Sequence, residues 1–230
     1  MSTSLLARRF DTNQPVRITV SGRTIEAIEA VEVPEADSLP LVAPGLFDIQ
    51  VNGWDGTWFS QADLSGEEVA RIVAKYLPHG VTRLYPTLIT NSFASLEAGF
   101  RAVREACEND PLAGEMIAGC HLEGPYISAE DGPRGAHPLE QVRPADWEEF
   151  RALQEASGNR IRLITLAPEV EGAIEFIRKA VASGVVVSIG HTAAQPEDIA
   201  AAASTCPSSS RTTPMRRCSP STRSAVQATT

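Results

Sequence analysis

Residues 119–128 read GCHLEGPYIS, with a histidine and a glutamate one residue apart at the end of an apolar run and a Gly-Pro pair directly after them. Alternate residues of a strand share a face, so His121 and Glu123 point one way and Leu122 the other. Gly124-Pro125 then ends the strand and turns the chain. A second apolar run, VVVSIG, leads into His191 in the same manner. A carboxylate and an imidazole at the ends of two different strands can meet on one divalent cation. Zinc accepts both ligand types and, in catalytic sites, keeps a position open for water, which it activates near neutral pH. The other reading is that Glu123 caps a turn and His191 is a hydrogen-bonded loop histidine. Spacing alone leaves both open.

The elements that must position these residues follow from periodicity. Residues 16–34 alternate apolar and polar positions around Ser21-Gly22, which predicts short antiparallel strands joined by a hairpin turn. LPLVAPGLFDIQVNG reads as a buried strand. In LSGEEVARIVAKYLPHG, Ser65 is the N-cap, Glu67 and Glu68 fill the first turn, and Gly80 terminates. Val69, Ile72, Val73, Tyr76 and Leu77 then share one helical face. Strand and helix keep alternating through VTRLYPTLIT, SFASLEAGFRAVREACE, MIAGCHLEGP, ADWEEFRALQEAS, IRLITLAPE, EGAIEFIRKAVASG, VVVSIGHT and QPEDIAAAA. Five strands, each followed by helical sequence, indicate a parallel sheet. No G-x-G-x-x-G follows the first of them, so a TIM-type (β/α)8 barrel is the expected α/β architecture, with its site at the C-terminal strand ends. A whole barrel needs roughly 250 residues and eight strands. Only about five βα units are legible, so the barrel is expected to be incomplete.

With 43% hydrophobic residues the chain can bury a core, and its net charge of −9 argues against a nucleic-acid coat or a polybasic membrane patch. The four cysteines form no C-x-x-C pair, and Cys120 reads as a buried, reduced thiol. Neither a signal-peptide apolar region nor a run of 18 apolar residues occurs, so a soluble cytoplasmic protein is expected. Residues 204–230 are dominated by Ser, Thr, Pro and Arg and contain no acidic residue. That composition predicts a disordered tail or one read from a shifted frame. The expected organisation is 1–40, part of a small β-domain; 41–203, part of a barrel; and 204–230, the tail.

Taken in order, APGLFDIQVNGWDG, GVTRLYPTLIT, GCHLEGPYIS, GAHPLEQV, LITLAPE and VVVSIGHTAA give residues 40–203 a pattern that resembles the N-acetylglucosamine-6-phosphate deacetylases of the amidohydrolase superfamily. The resemblance implies an amidohydrolase barrel, truncated or frame-shifted at its C-terminus, with residues 1–40 forming part of an N-terminal β-sandwich. It implies metal-dependent hydrolysis of N-acetylglucosamine 6-phosphate to acetate and glucosamine 6-phosphate. Glu123 would be the carboxylate ligand and His191 the first histidine ligand of one divalent ion, zinc or else iron, manganese or cobalt. Ala136 and His137 match the substrate-contacting pair. Where many amidohydrolases carry His-x-His, this chain has Gln50-Val51-Asn52, which fits one metal rather than two and leaves Gln50 and Asn52 structural or supporting. His121 is read as packing or support, His79 as structural, and Asp48 has no assigned role.

The family's second histidine ligand and its proton-shuttling aspartate would lie further along. No histidine follows His191, so little or no turnover is expected of the sequence as written. Implied partners are a small sugar phosphate and a second copy in a homodimer, with neither nucleic acid nor membrane. Two alternatives are another mononuclear amidohydrolase acting on a different N-acyl sugar or amide, and a non-catalytic fragment.

Overall fold

The structure, a computed structural model, describes residues 2–205 and the pair 219–220. The chain divides into two compact units, Met1–Leu46 and Phe47–Thr230. The first unit is a four-stranded sheet of β1 (Ser2–Arg9), β2 (Pro15–Ser21), β3 (Thr24–Ala30) and β4 (Leu41–Val42), in the order β3-β2-β1-β4. The hairpin forms at the expected place, with Gly22 at φ +58°, a conformation that costs glycine little because it has no Cβ. β1 carries no clean alternation in sequence, yet it pairs antiparallel with β2 from Ser2 opposite Ser21 to Arg8 opposite Pro15. β4 lies past residue 40 and runs parallel to β1.

β5 (Leu46–Val51) starts at the last residue of the first unit and continues into the second. Its sequence reads as a buried strand, yet Leu46, Phe47 and Ile49 are exposed and only Val51 is buried. A small hairpin of β6 (Gly53–Trp54) and β7 (Thr57–Trp58) follows. The second unit continues with α1 (Gly66–Ala74), β8 (Val81–Ile89), α2 (Phe93–Asn109), α3 (Pro111–Met116) and β9 (Cys120–Glu123). Then come α4 (Trp147–Ala156), β10 (Ile161–Leu166), α5 (Ala173–Ala182), β11 (Val186–Ile189) and α6 (Pro196–Ser204). The five expected strands lie in one sheet in the order β11-β10-β9-β8-β5, and the pairs from β8 to β11 are parallel. A two-residue strand, β12 (Ser219–Pro220), adds to β11. This is an incomplete TIM-type barrel. The remainder of the expected 204–230 tail, including Cys206 and Cys218, lies outside the described residues, while Ser204 closes α6.

Local chemistry accounts for the elements. Ser65 and Glu68 form a capping box, with Ser65 Oγ accepting from the Glu68 N–H at 3.2 Å and Glu68 Oε2 accepting from the Ser65 N–H at 3.0 Å. Val69, Ile72 and Val73 are buried as the helical period demands. The predicted face runs too far, because α1 stops at Ala74 and the chain tightens into a 3₁₀ turn at Leu77–His79 before Gly80 at φ +81°. Leu77 is therefore exposed, whereas Tyr76 donates its hydroxyl to the Gly53 carbonyl. α2 lies close on β8 through Gly99, where a Cβ would sit 2.7 Å from Leu88 Cδ2. Tyr126, Trp147, Phe150 and Phe176 form an aromatic cluster with ring centroids 5.1–5.7 Å apart. Burying a ring such as Phe150 or Phe176 contributes about 1.5–3 kcal/mol. Cys120 is fully buried and burial pushes its thiol pKa up, so it stays a protonated core residue. Among the described residues no helix is long and apolar enough to cross a membrane.

Removing one half of the capping box tests the account of α1. Ser65→Ala should lower unfolding stability by about 1 kcal/mol in urea denaturation. An unchanged midpoint would mean that packing alone holds the helix.

Candidate metal centre

Parallel pairing sets β9 between two neighbours. Thr87 lies opposite His121 and Ile89 opposite Glu123 on the β8 side, with Leu163 and Thr165 opposite the same two residues on the β10 side. Glu123 thus reaches the end of the sheet as a residue only 7% exposed. His191 arrives from β11. Gly190 donates its N–H to Leu166 O at 3.1 Å, and His191 then takes φ +52°, a left-handed conformation uncommon outside glycine. Its carbonyl accepts from the Ser128 N–H at 2.9 Å. The turn brings His191 Nε2 to 3.0 Å from Glu123 Oε1, with Nδ1 3.2 Å from Pro133 O. Gln50 Nε2 donates to the other carboxylate oxygen, Oε2, at 3.1 Å. The two residues singled out by spacing do meet, and Gln50 orients one of them.

His137 joins them. Its ring lies 4.3 Å from that of His191, centre to centre, and it is 5% exposed. Its Nδ1 is 2.7 Å from Thr90 Oγ1, and that hydroxyl donates to Glu123 O at 3.4 Å. Glu123, His137 and His191 each offer one donor atom within 4.8 Å of the others, a group that could hold a metal ion. One carboxylate oxygen with two imidazole nitrogens is a donor set that zinc and related cations accept, so the residues fit such an ion. Ala136 is exposed and has no polar side-chain atom. Arg134 steadies its loop by donating to His137 O at 2.6 Å and pairing with Asp131 at 3.1 Å. Nothing in periodicity brings a loop residue fourteen positions after Glu123 back to it; the only signal was the GAHP motif.

The charges favour this pairing. Burial works to raise the Glu123 pKa, but the hydrogen bond from His191 and the nearby imidazoles outweigh it and hold the carboxylate below its usual range. The same hydrogen bond raises His191 against the opposing effect of burial. His137 is lowered, first by burial and then by the His191 charge.

His121 stays out of the group. Thr87 Oγ1 donates to Tyr85 O at 3.3 Å and accepts from the Val51 N–H at 3.1 Å. Its remaining acceptor capacity faces His121 Nδ1 at 3.3 Å, while Nε2 lies 2.8 Å from Thr165 Oγ1. The network assigns a neutral ring with the proton on Nδ1 and Nε2 accepting from Thr165. Asp48 accepts from the Gln50 N–H at 3.0 Å and so shapes the strand end. His79 is exposed beside Trp54, 5.1 Å between ring centres. Glu169, to which sequence reading gave no role, accepts from Thr192 Oγ1 at 2.6 Å and the Ala193 N–H at 2.7 Å, fixing the loop after His191.

Burial drives the His121 pKa down to about 4. The unfolded chain binds this proton near pH 6.5 and the folded one does not, so the contribution is destabilising and grows as pH falls from about 6.5 to 4. Replacing His121 by Leu should remove up to about 3 kcal/mol of this pH dependence. Chemical denaturation of both proteins at pH 7.5 and 4.5 measures it; parallel losses in the two would overturn the assignment.

No family model matches the chain. The human N-acetylglucosamine-6-phosphate deacetylase is 39% identical over 158 residues, which are 67% of this chain and 37% of that relative. A solved N-acetylglucosamine-6-phosphate deacetylase from Pasteurella multocida superposes with a TM-score of 0.73 at 26% identity, covering 89% of this chain and 55% of that one. A mutant of the Mycobacterium smegmatis enzyme, solved in complex with N-acetyl-D-glucosamine-6-phosphate, gives 0.71 at 28% identity over 88% and 54%. The chain therefore spans about a third to a half of the length of these relatives. Shared sequence and shared fold agree, and the chain belongs to the N-acetylglucosamine-6-phosphate deacetylase family.

Proposed function

We propose that this chain carries the metal-binding half of a deacetylase that hydrolyses the acetamide of N-acetylglucosamine 6-phosphate to acetate and glucosamine 6-phosphate. The observation that carries the reading is the pair of a buried Glu123 and a half-buried His191, 3.0 Å apart at the ends of different strands of the sheet. In this reading Glu123 and His191 hold one divalent ion, zinc by preference. Bound there, the ion supplies Lewis acidity toward an acyl carbonyl and lowers the pKa of water. The protein's part is positional: Gln50 fixes one carboxylate oxygen and leaves the other toward the site, and the Pro133 carbonyl orients the His191 ring. Ala136 and His137 form the substrate-contacting pair, and His137 faces the acetyl group or a sugar hydroxyl. The protein acts in the cytoplasm as a homodimer.

Sequence similarity and the complex of the Mycobacterium smegmatis relative with the sugar phosphate support this substrate. Described residues after His191 include Glu197 and Asp198 at the first turn of α6, where Asp198 caps Gln195; no aspartate there faces Glu123 as a proton acceptor. The 230 residues as given should therefore bind metal with little turnover.

The experiment joins residues 1–205 to the remaining part of the human relative. That chimera, loaded with zinc, should release acetate from N-acetylglucosamine 6-phosphate, and Glu123→Gln should lower kcat/KM at least a thousandfold together with loss of the metal. Full metal content with normal turnover in the variant would reduce Glu123 to a turn residue. Activity confined to other N-acyl substrates would reassign the substrate to a different amide.

A further inference from the structure

We infer that Arg143 is a positioning residue: it closes the excursion of the chain that begins after Ser128 and so fixes where His137 stands. The substrate side of this inference rests on the contact proposed above for His137, whereas the closure itself is read from contacts of the chain alone. The excursion leaves the sheet firmly held. Gly124 donates its N–H to Thr165 O, Tyr126 O accepts from the Ala167 N–H, and Ser128 donates its N–H to His191 O, each at 2.9 Å. Residues 129–132 then run exposed, as do Ala136, Leu139 and Glu140. The short turn at Leu139–Gln141 bonds to itself, Gln141 N–H to Pro138 O and Val142 N–H to Leu139 O, both at 3.1 Å. In the midst of these exposed positions His137 is only 5% exposed.

The return of the chain supplies the hold. Arg143 donates its N–H to Pro125 O at 3.3 Å, which brings the end of the excursion back to its start. All three nitrogens of its side chain are used. Nη1 donates to Asn91 O at 2.9 Å and to Gln141 O at 2.7 Å. Nη2 lies 2.8 Å from Glu149 Oε1 and Nε 3.0 Å from Oε2, a two-pronged grip on one carboxylate. Glu149 Oε1 also accepts from the Tyr126 hydroxyl at 3.0 Å. The two charged side chains are 23% and 16% exposed, and partial shielding from water strengthens such charge-assisted bonds. Asn91 is the residue after Thr90, whose Oγ1 lies 2.7 Å from His137 Nδ1. A closed circuit results, from His137 through Thr90 and Asn91 to Arg143 and back along the chain. Thr90 ties the circuit at one point and Arg143 at the other. A rigid guanidinium fork can serve a carboxylate and two carbonyls together, whereas a lysine ammonium is a point donor on a flexible stem. With both ties made, the His137 ring is held in one place before any substrate arrives, which is how positioning lowers a barrier.

The test labels the histidines of the 230-residue chain with diethyl pyrocarbonate and reads each by mass spectrometry. Exposed His79 is the reference, and buried His121 gauges global unfolding. Arg143→Met should speed labelling of His137 about tenfold, the population equivalent of the lost charge-assisted bonds, with His121 unchanged. Arg143→Lys and Glu149→Gln keep part of the network and should each raise it about threefold; these two carry the test should Arg143→Met fail to fold. In the chimera described above, Arg143→Met should lower kcat/KM about tenfold. Adding Arg143→Met to His137→Gln should lower it no further, the non-additivity of two residues that act as one. Unchanged His137 labelling in the folded variants overturns the inference. So does a rise at His121 equal to that at His137, which would make Arg143 a support of the whole fold, and so does full additivity of the two substitutions. If the chimera releases no acetate while the labelling behaves as expected, the substrate reading fails and the closure by Arg143 stands.

Discussion

A carboxylate held almost out of water at the end of a parallel sheet is the constraint on which the rest of the second unit turns. Glu123 is ionised, and an ionised group removed from water needs partners of complementary charge or hydrogen-bonding capacity. Those partners come from far apart in sequence, with Gln50 ending one edge of the sheet and His191 following the strand two places away on the other side. The order β11-β10-β9-β8-β5 is what makes their convergence possible. The packing of α2 on β8 and the aromatic cluster around α4 and α5 keep that order. Stability of the sheet and geometry of the site are thus the same property seen at two scales.

Three histidines within this small region illustrate how partners, rather than residue type, decide protonation. His121 is clasped by two hydroxyls in a dry interior and stays neutral. His137 is biased toward its neutral form by burial and by the neighbouring His191, with one nitrogen at Thr90. His191 shares a hydrogen bond with a carboxylate and is biased toward its charged form. A proton between His191 and Glu123 occupies the place where a cation would sit, so proton and metal are alternatives there.

Much of this was legible in the sequence because parallel strands buried on both faces leave apolar runs, and because caps such as Ser65 mark helix starts chemically. Glu123 and His191 could be singled out because they stand where such runs stop. The rest was hidden for identifiable reasons. β1 pairs through its backbone, and its side chains carry no period-two signal. Leu77 fell outside its helix because the Leu-Pro-His-Gly segment favours a tight turn over another α turn. His137, Thr90 and Glu169 act through long-range contacts made by loops, and loops advertise no periodicity. Gln50 could be recognised only as a departure from a His-x-His pattern, and its hydrogen bond to Glu123 depends on strand order that no local signal encodes.

The His121 ring has a consequence for assembly. It spans from Thr87 on one neighbouring strand to Thr165 on the other. A slip of β8 by two residues would put Tyr85 or Ile89 opposite it, and a slip of β10 would carry Thr165 out of reach. Either error strands a buried imidazole, at a cost of about 1–3 kcal/mol for each unmet group. The ring works as a gauge across three strands that accepts a single alignment, and that alignment is the one in which Glu123 meets its partners. A side chain that takes no part in the chemistry thereby proofreads the frame on which the chemistry is hung.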